Sequence, residues 1–173
     1  RLMPMYGKSL DEILHDPFSE TPLKERECET AYPSHPDAAI GRGGHGLFST
    51  ASDYLEFALM TKSGRSREGE PLVSRKVLEF AWHNRLQPHL MPIAVGPFPQ
   101  PGYGWNLLGR VMTDLGQAIH PTGMDEGGWA GAAATYYWVD RNEDLVGVIM
   151  TQNLGTLSPM RNDMQTATYQ AVT

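Results

Sequence analysis

Two runs near the end of the chain constrain its fold more than any other feature. Ala133-Ala134-Thr135-Tyr136-Tyr137-Trp138-Val139 is aromatic and β-branched, a composition that fits a pleated, half-buried surface and reads as a strand. Asp140-Arg141-Asn142-Glu143-Asp144 follows as a polar turn of hairpin length. Leu145 to Gln152 then returns with apolar residues at both parities: Leu145 and Ile149 on one side, Val146, Val148 and Met150 on the other. An antiparallel strand of that kind needs cover on both faces, so helices are expected above and below the sheet. Arg161 to Val172 can supply one, with Met164, Ala167, Thr168 and Ala171 towards the sheet. The residues alone therefore predict an α+β fold in three layers.

The 173 residues read as one domain in three stretches. Residues 1–46 are an irregular, proline-rich excursion, interrupted by Pro17, Pro22, Pro33 and Pro36. Only Ser9 to His15 suggests a short helix there, with Ser9 as N-cap and Glu12 at the capping-box spacing. Residues 47–101 are helical and then loop. Ser49 or Thr50 caps a first helix carrying Tyr54, Leu55, Ala58 and Leu59, which Gly64 stops. Ser74 caps a second, with an apolar stripe of Val77, Leu78, Ala81 and Trp82. Pro88, Pro92, Pro97, Pro99 and Pro101 exclude regular helix and central strand between Gln87 and Pro101. Residues 102–173 hold the strands and the last helix, beginning with Tyr103 to Met112 as one weakly alternating strand.

Charge and composition exclude several functions. The net charge is −6 with no cluster of Lys and Arg, which argues against nucleic acid and against an anionic membrane surface as partners. No apolar run approaches the ~20 residues of a membrane span. His15, His35, His45, His83, His89 and His120 are scattered, and no paired Cys/His or His-Glu-x-x-His spacing occurs, so no metal or cofactor is expected. Cys28 is the one cysteine and sits among glutamates, which would raise its thiol pKa and keep it unreactive. The Gly41–Gly46 run lacks the Gly-Lys-Ser/Thr ending of a phosphate loop, and no Gly-x-Ser-x-Gly elbow is present.

The segment with an unusual local design is Asp125-Glu126-Gly127-Gly128-Trp129-Ala130-Gly131-Ala132-Ala133-Ala134-Thr135. Small residues weaken a strand interior unless something approaches the backbone closely. Two readings stay open. The edge could offer main-chain amides to a ligand carbonyl, as in an oxyanion hole. Alternatively, the small residues could admit a tight sheet-to-helix contact.

Longer stretches resemble a known family. Gly43-Gly44-His45-Gly46-Leu47-Phe48-Ser49-Thr50-Ala51-Ser52-Asp53-Tyr54 is similar to the G-G-x-G-L-x-S-T-A-x-D-Y segment of the serine β-lactamase-like superfamily, in its branch of family VIII carboxylesterases and class C β-lactamases. Trp129 to Asp140 resembles the W-G-G-A-A-G-T-x-F-W-V-D of those esterases, and Glu143 to Gln152 resembles the stretch next after it in the same enzymes. The resemblance implies a β-lactamase/transpeptidase-like fold, an antiparallel sheet flanked by helices with part of a helical subdomain. It also implies acyl transfer through a serine in S-x-x-K, activated by that lysine and by a tyrosine in Y-x-N or Y-x-S. Those elements precede the matched region, and no serine here is followed three residues later by lysine. The chain is accordingly read as the C-terminal half of such an enzyme, inactive alone, whose partner is the N-terminal part carrying the nucleophile.

What carries over is limited. Trp129-Ala130-Gly131 takes the place of the family's third motif, K-T-G in β-lactamases and W-G-G in the esterases. Trp129 in place of lysine removes the cation that would pair with a β-lactam carboxylate, which favours a small-molecule ester over a β-lactam. Ala130 adds a methyl group where the esterases have glycine. The resemblance makes the Ala132 backbone N–H one oxyanion donor, with Trp129, Ala130 and Gly131 binding substrate; Tyr103 and the 87–101 loop are read as lining the same pocket beside Trp129, since aromatic and apolar walls suit ester groups. The competing readings are a β-lactamase or penicillin-binding-like protein, an acyltransferase, a non-catalytic homologue and a self-standing interaction module.

Overall fold

The computed structural model describes residues 3–9, 12, 15–16, 22–26, 47–96, 98–154 and 159–173. In chain order the elements are strands β1 (Met5–Gly7) and β2 (Lys24–Arg26), then helices α1 (Ala51–Ser63) and α2 (Arg75–Trp82). Strands β3 (Ala94–Val95), β4 (Phe98–Pro99), β5 (Tyr103–Trp105), β6 (Arg110–Met112), β7 (Gly127–Ala130), β8 (Tyr136–Asp140), β9 (Leu145–Ile149) and β10 (Asn153–Leu154) come next, and helix α3 (Met160–Tyr169) closes the chain. Strands β5 to β9 form an antiparallel sheet in sequence order.

Local chemistry sets the helices as expected. The Thr50 hydroxyl accepts the Asp53 N–H at 3.1 Å and starts α1. Gly64, at φ 75°, ends it in the left-handed conformation that glycine adopts without strain. Ser74 caps α2 by accepting the Val77 N–H at 3.3 Å. The Ser9–Glu12 capping box closes in both directions, at 2.5 and 3.2 Å.

Alternation along β8 sends its side chains to two different layers. Tyr137 and Val139 point to one face and form a core with Ala58, Leu78 and Trp82 of α1 and α2. The Trp82 indole N–H is satisfied by the Thr61 carbonyl at 2.8 Å. Tyr136 and Asp140 point to the other face, where α3 lies: the Tyr136 hydroxyl meets Gln165, and Asp140 accepts the Tyr169 hydroxyl at 2.7 Å. The molecule is therefore α+β, with an antiparallel sheet between helical layers.

Four expectations need correction. Tyr103 to Met112 is a hairpin, because the buried Asn106 side chain accepts the Leu108 and Gly109 N–H groups at 2.7 and 2.9 Å and turns the chain back. The small-residue segment and the aromatic run are likewise two strands: residues 131–135 form the turn between β7 and β8. Helix α3 presents a polar stripe to the sheet, Arg161, Gln165 and Tyr169, while Met164, Ala167 and Ala171 are exposed. The reason is that the sheet face beneath it is itself charged and hydroxylic. Finally, the first stretch is not wholly irregular. Strand β1 pairs in parallel with β10 and antiparallel with β2, in strands too short to show a period in sequence.

Strand β9 is the last of its sheet, and each of its residues is half-buried. The cover expected on both its faces is thus incomplete among the described residues.

Candidate functional site

Strand β7 is not an edge. Gly127 and Gly128 pair with β6 on one side and β8 on the other. A Cβ on Gly127 would lie 2.5 Å from the Trp82 ring, and one on Gly128 would lie 2.0 Å from the Tyr137 carbonyl oxygen. At these two positions the small residues answer to packing, Gly127 against a helix and Gly128 against the neighbouring strand.

Further along, the situation changes. Pairing with β6 stops at Arg110↔Gly128, whereas pairing with β8 continues to Ala130↔Tyr136. Beyond Gly128, therefore, β7 has no further ladder partner on the β6 side among the described residues. The Gly131 N–H donates to the Thr135 carbonyl at 2.8 Å. Successive amides of such a ladder face opposite ways, so the Ala130 N–H faces away from β8. The Ala132 N–H has no acceptor among the described residues, and the residue is exposed.

The turn that carries this amide is anchored. The Ala134 N–H closes it onto the Gly131 carbonyl at 3.1 Å. The Ala133 carbonyl accepts the Asn153 N–H at 3.1 Å and the Thr151 hydroxyl. A Cβ at Gly131 would lie 2.3 Å from Thr135 Oγ1, so a larger residue there would have to turn the Thr135 side chain aside. Trp129 is 37% exposed, with Trp105 set edge-on against it at 4.5 Å and 82°.

Tyr103 is placed differently from Trp129. It is 4% exposed, and its hydroxyl donates to Glu126 at 2.8 Å. It belongs to a buried network under α3. Glu126 also accepts the Thr122 hydroxyl and the Tyr136 hydroxyl, each at 3.2 Å. Arg110 donates to the Tyr136 hydroxyl, and its guanidinium lies over the rings of Tyr103 at 4.1 Å and Tyr136 at 5.1 Å.

Burial alone would lower the Arg110 pKa, but Tyr136, Tyr103 and Glu126 around it raise it, so it stays charged. Burial, and then Glu126, raises the pKa of Tyr103 and Tyr136, so both hydroxyls remain donors. His120 is held below its ordinary pKa chiefly by burial, with Arg110 and Arg161 adding to the effect. This network is one that sequence reading missed. Its acid stands in Asp125-Glu126-Gly127-Gly128, which looks like a solvated turn.

Among the described residues no three His, Cys, Asp or Glu side chains are grouped to hold a metal. No described helix is long and apolar enough to cross a membrane. A groove of about 210 Å³ lies at the end of α1, lined by Glu56, Leu59, Ser63, Arg65, Ser66 and Arg67, and none of these belongs to the sheet. Cys28 and the Gly41–Gly46 run lie outside the described residues. So does Tyr32-Pro33-Ser34, which has the Y-x-S spacing, although no S-x-x-K accompanies it in this chain.

The family model described as Beta-lactamase matches residues 9–170. The chain belongs to the Beta-lactamase family. Solved structures of similar fold include EstCE1, a hydrolase with promiscuous acyltransferase activity, at 18% identity and a TM-score of 0.65, covering 96% of this chain and 43% of that one. The unliganded simvastatin synthase LovD from Aspergillus terreus is another, at 15% identity and a TM-score of 0.69, covering 99% of this chain and 44% of that one. The LovD6 mutant of that synthase is 16% identical, with a TM-score of 0.63, and covers 96% of this chain and 42% of that one. This Beta-lactamase-family chain therefore spans less than half the length of these structures, and at such identities the likeness is one of fold. None of the curated proteins compared with the chain matches it.

Proposed function

We propose that the chain is the C-terminal part of a serine hydrolase that works through an acyl-enzyme, with carboxylesterase chemistry. Its serine, lysine and tyrosine come from the N-terminal part of the same polypeptide. The observation that carries this reading is the unpaired, exposed Ala132 N–H on an anchored turn. In the proposed reaction the serine oxygen attacks the ester carbonyl and its proton passes to the lysine–tyrosine pair. The carbonyl oxygen becomes an oxyanion held by the Ala132 N–H and by the N–H of the serine itself. The alcohol leaves with a proton, and water then repeats the sequence to release the acid. Trp129 supports an ester as substrate, since a neutral indole offers nothing to pair with a β-lactam carboxylate.

A fluorophosphonate, which phosphonylates active-site serines with loss of fluoride, provides the test. In the full-length protein it should block p-nitrophenyl acetate hydrolysis and label a serine outside the 173 residues of this chain. The isolated chain should show neither hydrolysis nor labelling. A labelled serine within this chain, or no hydrolysis by the full-length protein, overturns the reading. Transfer of the acyl group to an alcohol in place of water is the second reading. It is favoured by the promiscuous acyltransferase activity named for the structural neighbour EstCE1.

A further inference from the structure

Trp105 does not stand out in the sequence, yet it is held with unusual care. It ends β5, and its backbone N–H donates to Asn84 Oδ1 at 3.0 Å. Its carbonyl accepts the Arg85 N–H at 2.8 Å. The Asn84 carboxamide is fully used: Oδ1 also accepts the Leu86 N–H at 3.1 Å, while Nδ2 donates to the Leu86 carbonyl at 3.1 Å and faces Met91 Sδ at 3.2 Å. Glycine at 104 makes room for it, since a Cβ there would lie 2.4 Å from Asn84 Oδ1. The segment leading from α2 into the proline-rich loop is thereby tied to β5 at the residue whose ring meets Trp129.

The two indoles stand edge to face at 4.5 Å. One partner is half-buried, and the other keeps more than a third of its surface open, three residues from the Ala132 amide. Rigid aromatic walls with a few convergent polar donors are the usual make-up of a small-molecule site. Resting on the esterase reading above, we propose that Trp105 and Trp129 together form the wall that selects a flat, apolar group of the ester, with Asn84 as the positioning residue that holds Trp105 in place. The wall's chemistry suits an aromatic acyl group and an aromatic alcohol equally, so the test separates them.

In the full-length protein, kcat/KM is compared for p-nitrophenyl acetate against p-nitrophenyl benzoate, and for ethyl acetate against benzyl acetate. Trp105→Ala should lower kcat/KM for the aromatic member of one pair by at least about tenfold and leave its small member within about threefold. The affected pair tells whether the wall faces the acyl or the alcohol side. Trp105→Phe, which keeps a ring against Trp129 at lower risk to folding, should retain the preference in part. Asn84→Ala should act in the same direction, raising KM more than it lowers kcat, and should weaken the near-ultraviolet circular dichroism of the paired indoles. Equal loss on all four esters, or no loss on any, overturns the inference. Ala132→Pro separates this from failure of the parent reading. If that variant is inactive while Trp105→Ala keeps the wild-type preference, only the selectivity wall is refuted. If it is fully active, the oxyanion reading itself falls.

Discussion

Replacing Glu126 with glutamine asks whether the sheet depends on its buried carboxylate. Glu126 is fully buried and accepts hydroxyls from three places: Tyr103 of β5, Thr122 before β7 and Tyr136 of β8. Glutamine keeps the shape, surrenders one oxygen to an NH2 group and removes the charge. A hydrogen bond to a charged group contributes about 1.5–3 kcal/mol, against about 0.5–1.5 for a neutral one. With the glutamine oxygen at the Oε2 position, the bonds from Tyr103 and Thr122 become neutral ones and the Tyr136 hydroxyl loses its acceptor to the NH2 group, a combined cost of at least about 3 kcal/mol. Arg110, 2% exposed, also loses the one buried carboxylate to which Tyr136 connects it. The same exchange at exposed Glu143 should cost less than about 0.5 kcal/mol. Urea unfolding of the two full-length variants, followed by tryptophan fluorescence, measures the difference. A Glu126→Gln stability within about 0.5 kcal/mol of Glu143→Gln would show that the network contributes nothing through its charge.

Other perturbations probe the packing and the turns. Gly147→Ala places a Cβ 2.1 Å from the Trp138 ring and should cost about 1–3 kcal/mol by overpacking; an unchanged melting temperature would contradict the packing described. Asn106→Ala leaves the Leu108 and Gly109 amides and the Trp82 carbonyl without their partner. It should cost about 2–4 kcal/mol and speed hydrogen exchange at those two amides, and protected amides would argue against it. His120 titrates below its ordinary value of 6.5 when folded, so the unfolded chain binds its proton first. Its contribution to stability is therefore constant above the unfolded pKa and falls as the pH drops through 6.5 towards the folded pKa. His120→Asn should flatten that slope, and a stability curve of identical shape in both proteins would remove the basis for it.

The parts of the fold legible in sequence are those governed by neighbours in the chain. Thr50, Gly64 and Ser74 mark helix ends because their chemistry is satisfied within four residues. The β8–β9 hairpin is legible because its strands are five residues long and strongly patterned. The β5–β6 hairpin is not, since it depends on one asparagine folding back on its own turn. The inward face of α3 is not legible either, because apolar stripes normally mark burial. Here the buried stripe of Arg161, Gln165 and Tyr169 answers a charged sheet, contributed by residues 20 or more positions away. At the site, Trp129 to Ala132 could be singled out from composition and resemblance. Trp105 and Asn84 could not, because the contacts that join them form only where the segment after α2 meets β5.

The most direct measurement concerns one hydrogen atom. Ala132 is the second residue of the turn closed by Ala134 onto Gly131, a position where proline is accommodated in common turns. Ala132→Pro thus deletes the N–H at small cost to the fold, while Ala132→Gly keeps it. In the full-length protein kcat for p-nitrophenyl acetate should fall by about 10²–10³ in the proline variant and stay within about threefold in the glycine variant. Equal rates in the two would mean that no oxyanion is held at residue 132.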